Sequence, residues 1–144
     1  MIRAILDTNV IVSGVIRQQG PPGRVLKAAL EERKFTLVTS PALLQEVAEI
    51  LWEDKIRKYH QWDQSQLIAF VARLHRLGHV TPGQLVVQEI IEDPADDAVL
   101  SCAKEAGAAY VVTGDEHLLA LREYEGIKIV NPAAFLSVLA GQKG

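Results

Sequence analysis

Short apolar runs of strand length recur at residues 2–6, 35–39, 109–112 and 126–130, each closed by polar or turn-forming residues. Between them the apolar positions change to helical spacing. Val25, Leu26, Ala29 and Leu30 form one stripe, after the turn-forming stretch QQGPPG at residues 18–23. Ser40 followed by Pro41 is a helix-start signal, a capping hydroxyl and then proline at the first helical position, and Leu43, Leu44, Val47, Ile50 and Leu51 follow at the matching interval. Leu67, Ile68, Val71, Leu74 and Leu77 make a further stripe ended by Gly78, so the middle of the chain is expected to be a pair of helices joined near residues 59–63. The acidic stretch at residues 92–97 opens another helix, with apolar positions at Val99, Cys102, Ala103 and Ala106 and a terminating Gly107. A last helix is expected from Pro132 or Ala133 to about Leu139. Two segments are ambiguous by pattern alone: residues 10–16, apolar and β-branched but carrying Ser13 and Gly14, and residues 85–91, a short strand or an extended connection.

Strands alternating with helices predict an α/β fold, a three-layer α/β/α sandwich around a mostly parallel central sheet. The chain shows no internal repeat, low-complexity tract or linker, and 144 residues with 49% apolar content suit a single domain over residues 1–144. The net charge of −3 gives no global basic excess, so any binding of nucleic acid has to be local. Cys102 has no cysteine to pair with and reads as a small buried hydrophobe. No apolar run approaches the ~18 residues needed to span a bilayer and no leader is evident, which sets the expectation of a soluble, reducing, cytoplasmic setting.

Against this apolar frame, Asp7, Thr8 and Asn9 stand out, placed directly after the first strand. A buried carboxylate must be hydrated, paired or metal-bound, because a dry isolated charge costs several kcal/mol. In a parallel α/β sheet the strand carboxyl ends and helix amino ends share one edge, where ligands bind. Four acids map to that edge: Asp7 after the first strand, Glu46 in the opening turns of the helix after the second, Asp96 at the start of its helix, and Asp115 after the strand AAYVV. Singly, each has a structural explanation as a cap or turn residue. Together they repel one another, and the economical reason to keep them is a divalent cation. Oxygen-only ligation favours a hard ion, Mg²⁺ or Mn²⁺, over structural zinc, and His60, His75, His79 and His117 have no ligand spacing with the acids. His117 reads as a turn or helix-start residue. One or two such ions would support phosphodiester hydrolysis without a side-chain nucleophile. Asn9 and Thr113 either orient a water or a phosphate at the site or satisfy backbone groups of their turns.

The segments LDTNV at residues 6–10, SPALLQEVAEIL at 40–51 and DPADDAVLSCAKEAGAAYVVTGD at 93–115, with the LLAL that follows, closely resemble the PIN-domain family, in particular VapC-like toxins of bacterial toxin–antitoxin systems. The resemblance runs from about Ile2 to Leu136. It implies a Mg²⁺- or Mn²⁺-dependent ribonuclease whose catalytic, metal-binding acids are Asp7, Glu46, Asp96 and Asp115, with Asn9 and Thr113 as supporting polar residues. It favours Asp96 over Asp97, which matches a position often held by asparagine. It also implies a homodimer, an RNA substrate and a small antitoxin protein as partner. Cations to flank the acids for RNA are Lys55, Arg57 and Lys58, with Tyr59 and Trp62 for stacking, and Arg73 and Arg76 on the next helix; a solvated helical face is the plainer reading of these residues.

Other readings fit less well. A haloacid-dehalogenase-type phosphatase wants a second aspartate where Asn9 stands, and a receiver domain wants an acidic pair after the first strand. A module that holds a metal or a basic peptide without turnover would carry the same acids, and only a cleavage assay separates it from an enzyme.

Overall fold

The computed structural model describes residues 1–83 and 94–142, with the side chains of residues 94–96 outside that description. The sheet is built from β1 (Arg3–Leu6), β2 (Thr36–Thr39), β3 (His79–Val80), β4 (Tyr110–Val112), β5 (Glu123–Tyr124) and β6 (Ile127–Val130), in the spatial order β3-β2-β1-β4-β6-β5. All neighbours are parallel except β5 and β6, which form an antiparallel hairpin. β1 is thus central, flanked by β2 with Ile5 opposite Val38 and by β4 with Leu6 opposite Val112.

Alternation along the strands sorts the core into two faces. Ala4, Leu6, Leu37 and Val112 belong to one apolar cluster; Ile5, Val38, Val111, Ile127 and Ile129 belong to the other. The first face is covered by α1 (Thr8–Ile16), α2 (Pro21–Leu30), α3 (Pro41–Leu51), α5 (Gln64–Leu77) and α8 (Pro132–Ala140). The second is covered by α6 (Pro94–Ala106) and α7 (Glu116–Leu121), with Leu43 of α3 reaching in at the edge. The result is three layers, α/β/α. Phe135 of α8 anchors the larger layer, its ring edge-on to Phe35 at 4.9 Å and to Tyr110 at 5.6 Å.

Two expectations change. Residues 10–16, ambiguous by pattern, belong to helix α1, which starts at Thr8, so Asp7 is a helix cap as well as the residue that ends β1. The middle of the chain holds three helices, because α4 (Asp54–His60) lies between α3 and α5 where a pair joined near residues 59–63 was expected. α4 buries no residue and therefore carried no apolar stripe to read. Residues 85–91 lie outside the described residues.

The proline-start helices form as their sequences direct. Ser40 Oγ accepts the Leu43 N–H at 3.2 Å with Pro41 behind it, and Asn131 Oδ1 accepts the Ala134 N–H at 2.8 Å with Pro132 behind it. α1 and α2 cross closely at Gly14, where a Cβ would lie 2.6 Å from Leu26 Cδ1 and 2.9 Å from the Pro22 carbonyl oxygen, so only glycine permits this approach.

Candidate functional site

The site forms where β1 and β4 end side by side. The Asp7 N–H donates to the Val112 carbonyl at 2.9 Å, continuing the strand ladder one residue further, and the chain then turns into α1 with Asp7 as its N-cap. Asp7 is 8% exposed. Its Oδ1 accepts the Thr8 N–H at 2.7 Å; its Oδ2 accepts from Asn9 Nδ2 at 3.1 Å and from Thr113 Oγ1 at 2.8 Å. Thr113, fully buried beyond β4, uses the same hydroxyl oxygen to accept the Asp115 N–H at 3.0 Å. Asn9 Oδ1 accepts the Gly114 N–H at 3.1 Å. Six residues from the first strand–helix junction and from the segment after β4 are therefore tied into one network.

Asp115, half-buried, caps α7: its Oδ1 accepts the N–H groups of His117 at 2.7 Å and Leu118 at 3.2 Å. Its charge acts on Asp7. Burial, the larger cause, and the like charge of Asp115 hold the Asp7 carboxyl above the ordinary carboxylate range, and the bonds from Thr113, Thr8 and Asn9 pull the other way without cancelling them. Among the described residues no ion pair joins Asp7 or Asp115 to a cation.

Glu46 is half-buried on α3, which starts at the carboxyl end of β2, next to β1, and packs against α1. Asp96 falls in the first turn of α6, which packs on β1, β2 and β4 and runs back toward the start of β4; its side chain lies outside the described residues. Asp97 is half-buried, and its carbonyl accepts the Ser101 hydroxyl at 2.6 Å. The structure thus puts Asp7 and Asp115 together and brings the helices bearing Glu46 and Asp96 to the same sheet edge. Among the described residues, no three His, Cys, Asp or Glu side chains group closely enough to hold a metal. The donors are all oxygens, carrying a net negative charge, and so fit a hard divalent cation.

The cations picked from the sequence lie on α4 and α5. Lys55, Arg57 and Lys58 lie on α4: Lys55 pairs with Glu53 at 3.6 Å, Arg57 bonds Asp54 and stacks over Trp52 at 4.5 Å, and Lys58 lies over Tyr59 at 5.3 Å. Arg73 donates to the Leu30 carbonyl at 3.2 Å, locking α5 to α2. Arg76 is exposed in the last turn of α5. The half-buried Trp62 ring is packed on His60 and Phe70, at 4.9 and 5.2 Å. His117 is exposed at the start of α7, as its reading as a helix-start residue anticipates.

A family model described as PIN domain matches residues 3–117, a span that contains all four acids. The chain belongs to the PIN-domain family. PIN domains are of nuclease type and typically use divalent metal ions. The PIN chain is 29% identical over 131 residues, 90% of its length and 82% of the other's, to the uncharacterized protein MJ1680 of Methanocaldococcus jannaschii. Its fold is similar to the crystal structure of PAE2754 from Pyrobaculum aerophilum, with a TM-score of 0.63 at 16% identity over 98% of this chain and 91% of the other. Among the described residues no helix is long and apolar enough to cross a membrane.

Proposed function

We propose that this PIN domain is a Mg²⁺- or Mn²⁺-dependent endoribonuclease acting as the toxin of a toxin–antitoxin pair. The observation that carries the catalytic reading is Asp7: a carboxylate buried beside Asp115, held by Thr113 and Asn9 at the carboxyl edge of a parallel sheet, and in no ion pair among the described residues. Asp7 and Asp115 would hold the cation, joined by Glu46 and Asp96 from the helices that reach the same edge. A divalent cation held there would supply Lewis-acid stabilisation of the scissile phosphate and would lower the pKa of the attacking water. Thr113 fixes the Asp7 carboxylate through Oδ2, and the Asn9–Gly114 bond sets the spacing between the two strand ends. The toxin assignment, with a small antitoxin protein as inhibitor and a homodimer as the working form in the cytoplasm, is supported by the resemblance of the LDTNV, SPALLQEV and TGD segments. Exposed Trp52, Tyr59 and Ile68 offer apolar area for a second copy.

The test is cleavage of structured and single-stranded RNAs with Mn²⁺, with Mg²⁺ and with EDTA, by the wild type, Asp7→Asn and Asp96→Asn. Scission that needs metal and is absent in both variants is expected. Equal cleavage by all three proteins would expose a contaminant, and no cleavage of any RNA would move the reading to a non-catalytic binding module.

A further inference from the structure

A second feature opens directly off the carboxylate network. Asn9 and Gly114, whose mutual bond closes that network, also line a pocket of about 280 Å³ between the amino ends of α1, α2 and α8. Its walls are the rings of Pro21, Pro22 and Pro132 with the Ala133 methyl group, and its polar edge is Ser13 and Asn131. The volume lies near the lower end for small-molecule sites, roughly 300–1000 Å³, and suits one flat heterocycle better than a folded peptide segment. Rigid apolar ring faces with a narrow polar edge match a nucleobase, which presents a π-face to stack and an edge to hydrogen-bond. Asn131 spends its Oδ1 on capping α8, which leaves its amide N–H groups as donors toward a base edge. Charge agrees: Arg17 precedes and Arg24 follows the proline wall in sequence, and both are exposed and in no ion pair among the described residues, which leaves them available to phosphate.

We infer that the Pro21–Pro22–Pro132 pocket receives the base of the nucleotide flanking the scissile phosphate in single-stranded RNA, and so sets which base stands beside the cut. The inference rests on the ribonuclease reading, because a strand held at Asp7 and Asp115 has to send a neighbouring base past Asn9. Ser13 and Asn131 are then specificity-determining residues, and Arg24 a sequence-independent phosphate contact.

Two measurements test it, the first of them separately from catalysis. The first needs neither metal nor turnover: the ¹⁵N-labelled full chain in EDTA is titrated with adenosine, guanosine, cytidine and uridine, and amide shifts are followed by NMR. Shifts confined to Asn9, Ser13, Gly114, Asn131 and Ala133 are expected for at least one nucleoside. They should persist in Asp7→Asn and vanish in Ala133→Trp, which fills the mouth from an exposed position, with the fold of each variant checked by circular dichroism. The second sequences the ends produced from a randomised RNA pool with Mn²⁺. Asn131→Ser keeps a capping oxygen but loses the amide donors, and should flatten the base preference at one flanking position by about fivefold or more, as loss of one stacked, hydrogen-bonded base would. Arg24→Ala should slow cleavage of all sequences alike. Nucleoside shifts at these amides without any RNA cleavage would sink the nuclease reading while leaving the pocket standing. Metal-dependent cleavage with no nucleoside shifts and an unchanged preference in Asn131→Ser would overturn the pocket alone. Shifts caused by N-acetyl-leucinamide but by no nucleoside would overturn it too, in favour of a protein side chain as occupant.

Discussion

Thr113→Val isolates the hydroxyl that joins the two aspartates. Valine keeps the β-branched shape inside a fully buried position, so packing changes little and the loss is polar. Two bonds go. The donation to Asp7 Oδ2 at 2.8 Å has a charged acceptor, for which removal costs about 1.5–3 kcal/mol. The acceptance from the Asp115 N–H at 3.0 Å is a neutral bond worth about 0.5–1.5 kcal/mol, taken at the low end because half-buried Asp115 lets water reach its N–H. A methyl group in place of a buried hydroxyl returns about 0.8 kcal/mol. The net loss is about 2 kcal/mol near pH 7.5, which for a domain of this size lowers Tm by roughly 6–8 °C.

The pH dependence is the sharper part of this prediction. The Thr113 bond lowers the Asp7 pKa against the larger opposing effect of burial, so its removal raises the folded pKa further. The extra destabilisation is therefore complete above the raised Asp7 pKa and shrinks as pH falls through it, where a protonated carboxyl no longer needs the donor. Thermal melts of both proteins in EDTA from pH 4 to pH 8 measure this. A Tm loss under about 2 °C at pH 7.5, or a loss of the same size at every pH, would refute the claim that Thr113 stabilises a buried, ionised Asp7.

Three further outcomes follow from the same structure. Asp7 has a folded pKa above its unfolded value, so its contribution to stability is present below the unfolded pKa near 3.8 and is lost as pH rises through the folded one; the Tm difference between Asp7→Asn and wild type in EDTA should accordingly move in the variant's favour over that window, and Mn²⁺ at 100 times its Kd should raise the wild-type stability by about 2.7 kcal/mol while leaving the variant unmoved, an equal response of both proteins to Mn²⁺ being the contrary result. Burial pushes the Cys102 thiol up to about 11, so at pH 8 native protein should react with iodoacetamide only as fast as it unfolds, and labelling as quick as that of a free thiol would contradict the packing of α6 on the sheet.

Much of the architecture was legible because strand runs and capping signals are local. Ser40–Pro41, the break at Gly107 and the polar stop after each strand all mark real element ends. Helix α1 was not legible. Its Val and Ile residues favour strands by propensity, and Thr8, Val10, Ile11, Val12, Gly14 and Val15 are all buried, so no polar face gives away a 3.6-residue period. Burial against α2 and α3 outweighs a propensity cost of a few tenths of a kcal/mol per residue. β3 and β5, two residues each, are too short to leave a pattern. At the site, Asp7 and Asp115 could be placed from their positions after strands, and Glu46 and Asp96 from the opening turns of their helices. The role of Thr113 could not, since it depends on the β1–β4 register that sets Leu6 opposite Val112 and so carries Asp7 next to Thr113. The pairing of the α4 cations with Glu53 and Asp54 could not be read, because charge is visible in a sequence and its partners are not.

The chain also contains its own control for the meaning of Asp7. Asp63 is an N-cap as well, at the start of α5, where it accepts the Gln66 N–H at 2.8 Å and the Ser65 hydroxyl at 2.7 Å. Exposed to water and away from other acids, it has its pKa lowered by those bonds, as a carboxylate chosen for capping should. Asp7 receives three such bonds, yet its pKa moves in the opposite direction from that of Asp63, because burial and Asp115 outweigh them. Serine or asparagine would cap α1 without that penalty, as Ser40 and Asn131 do for α3 and α8. A carboxylate kept at a cost to the fold, with a second one placed to raise the cost, is explained by a ligand that both charges serve, and a divalent cation is the ligand that turns their repulsion into binding.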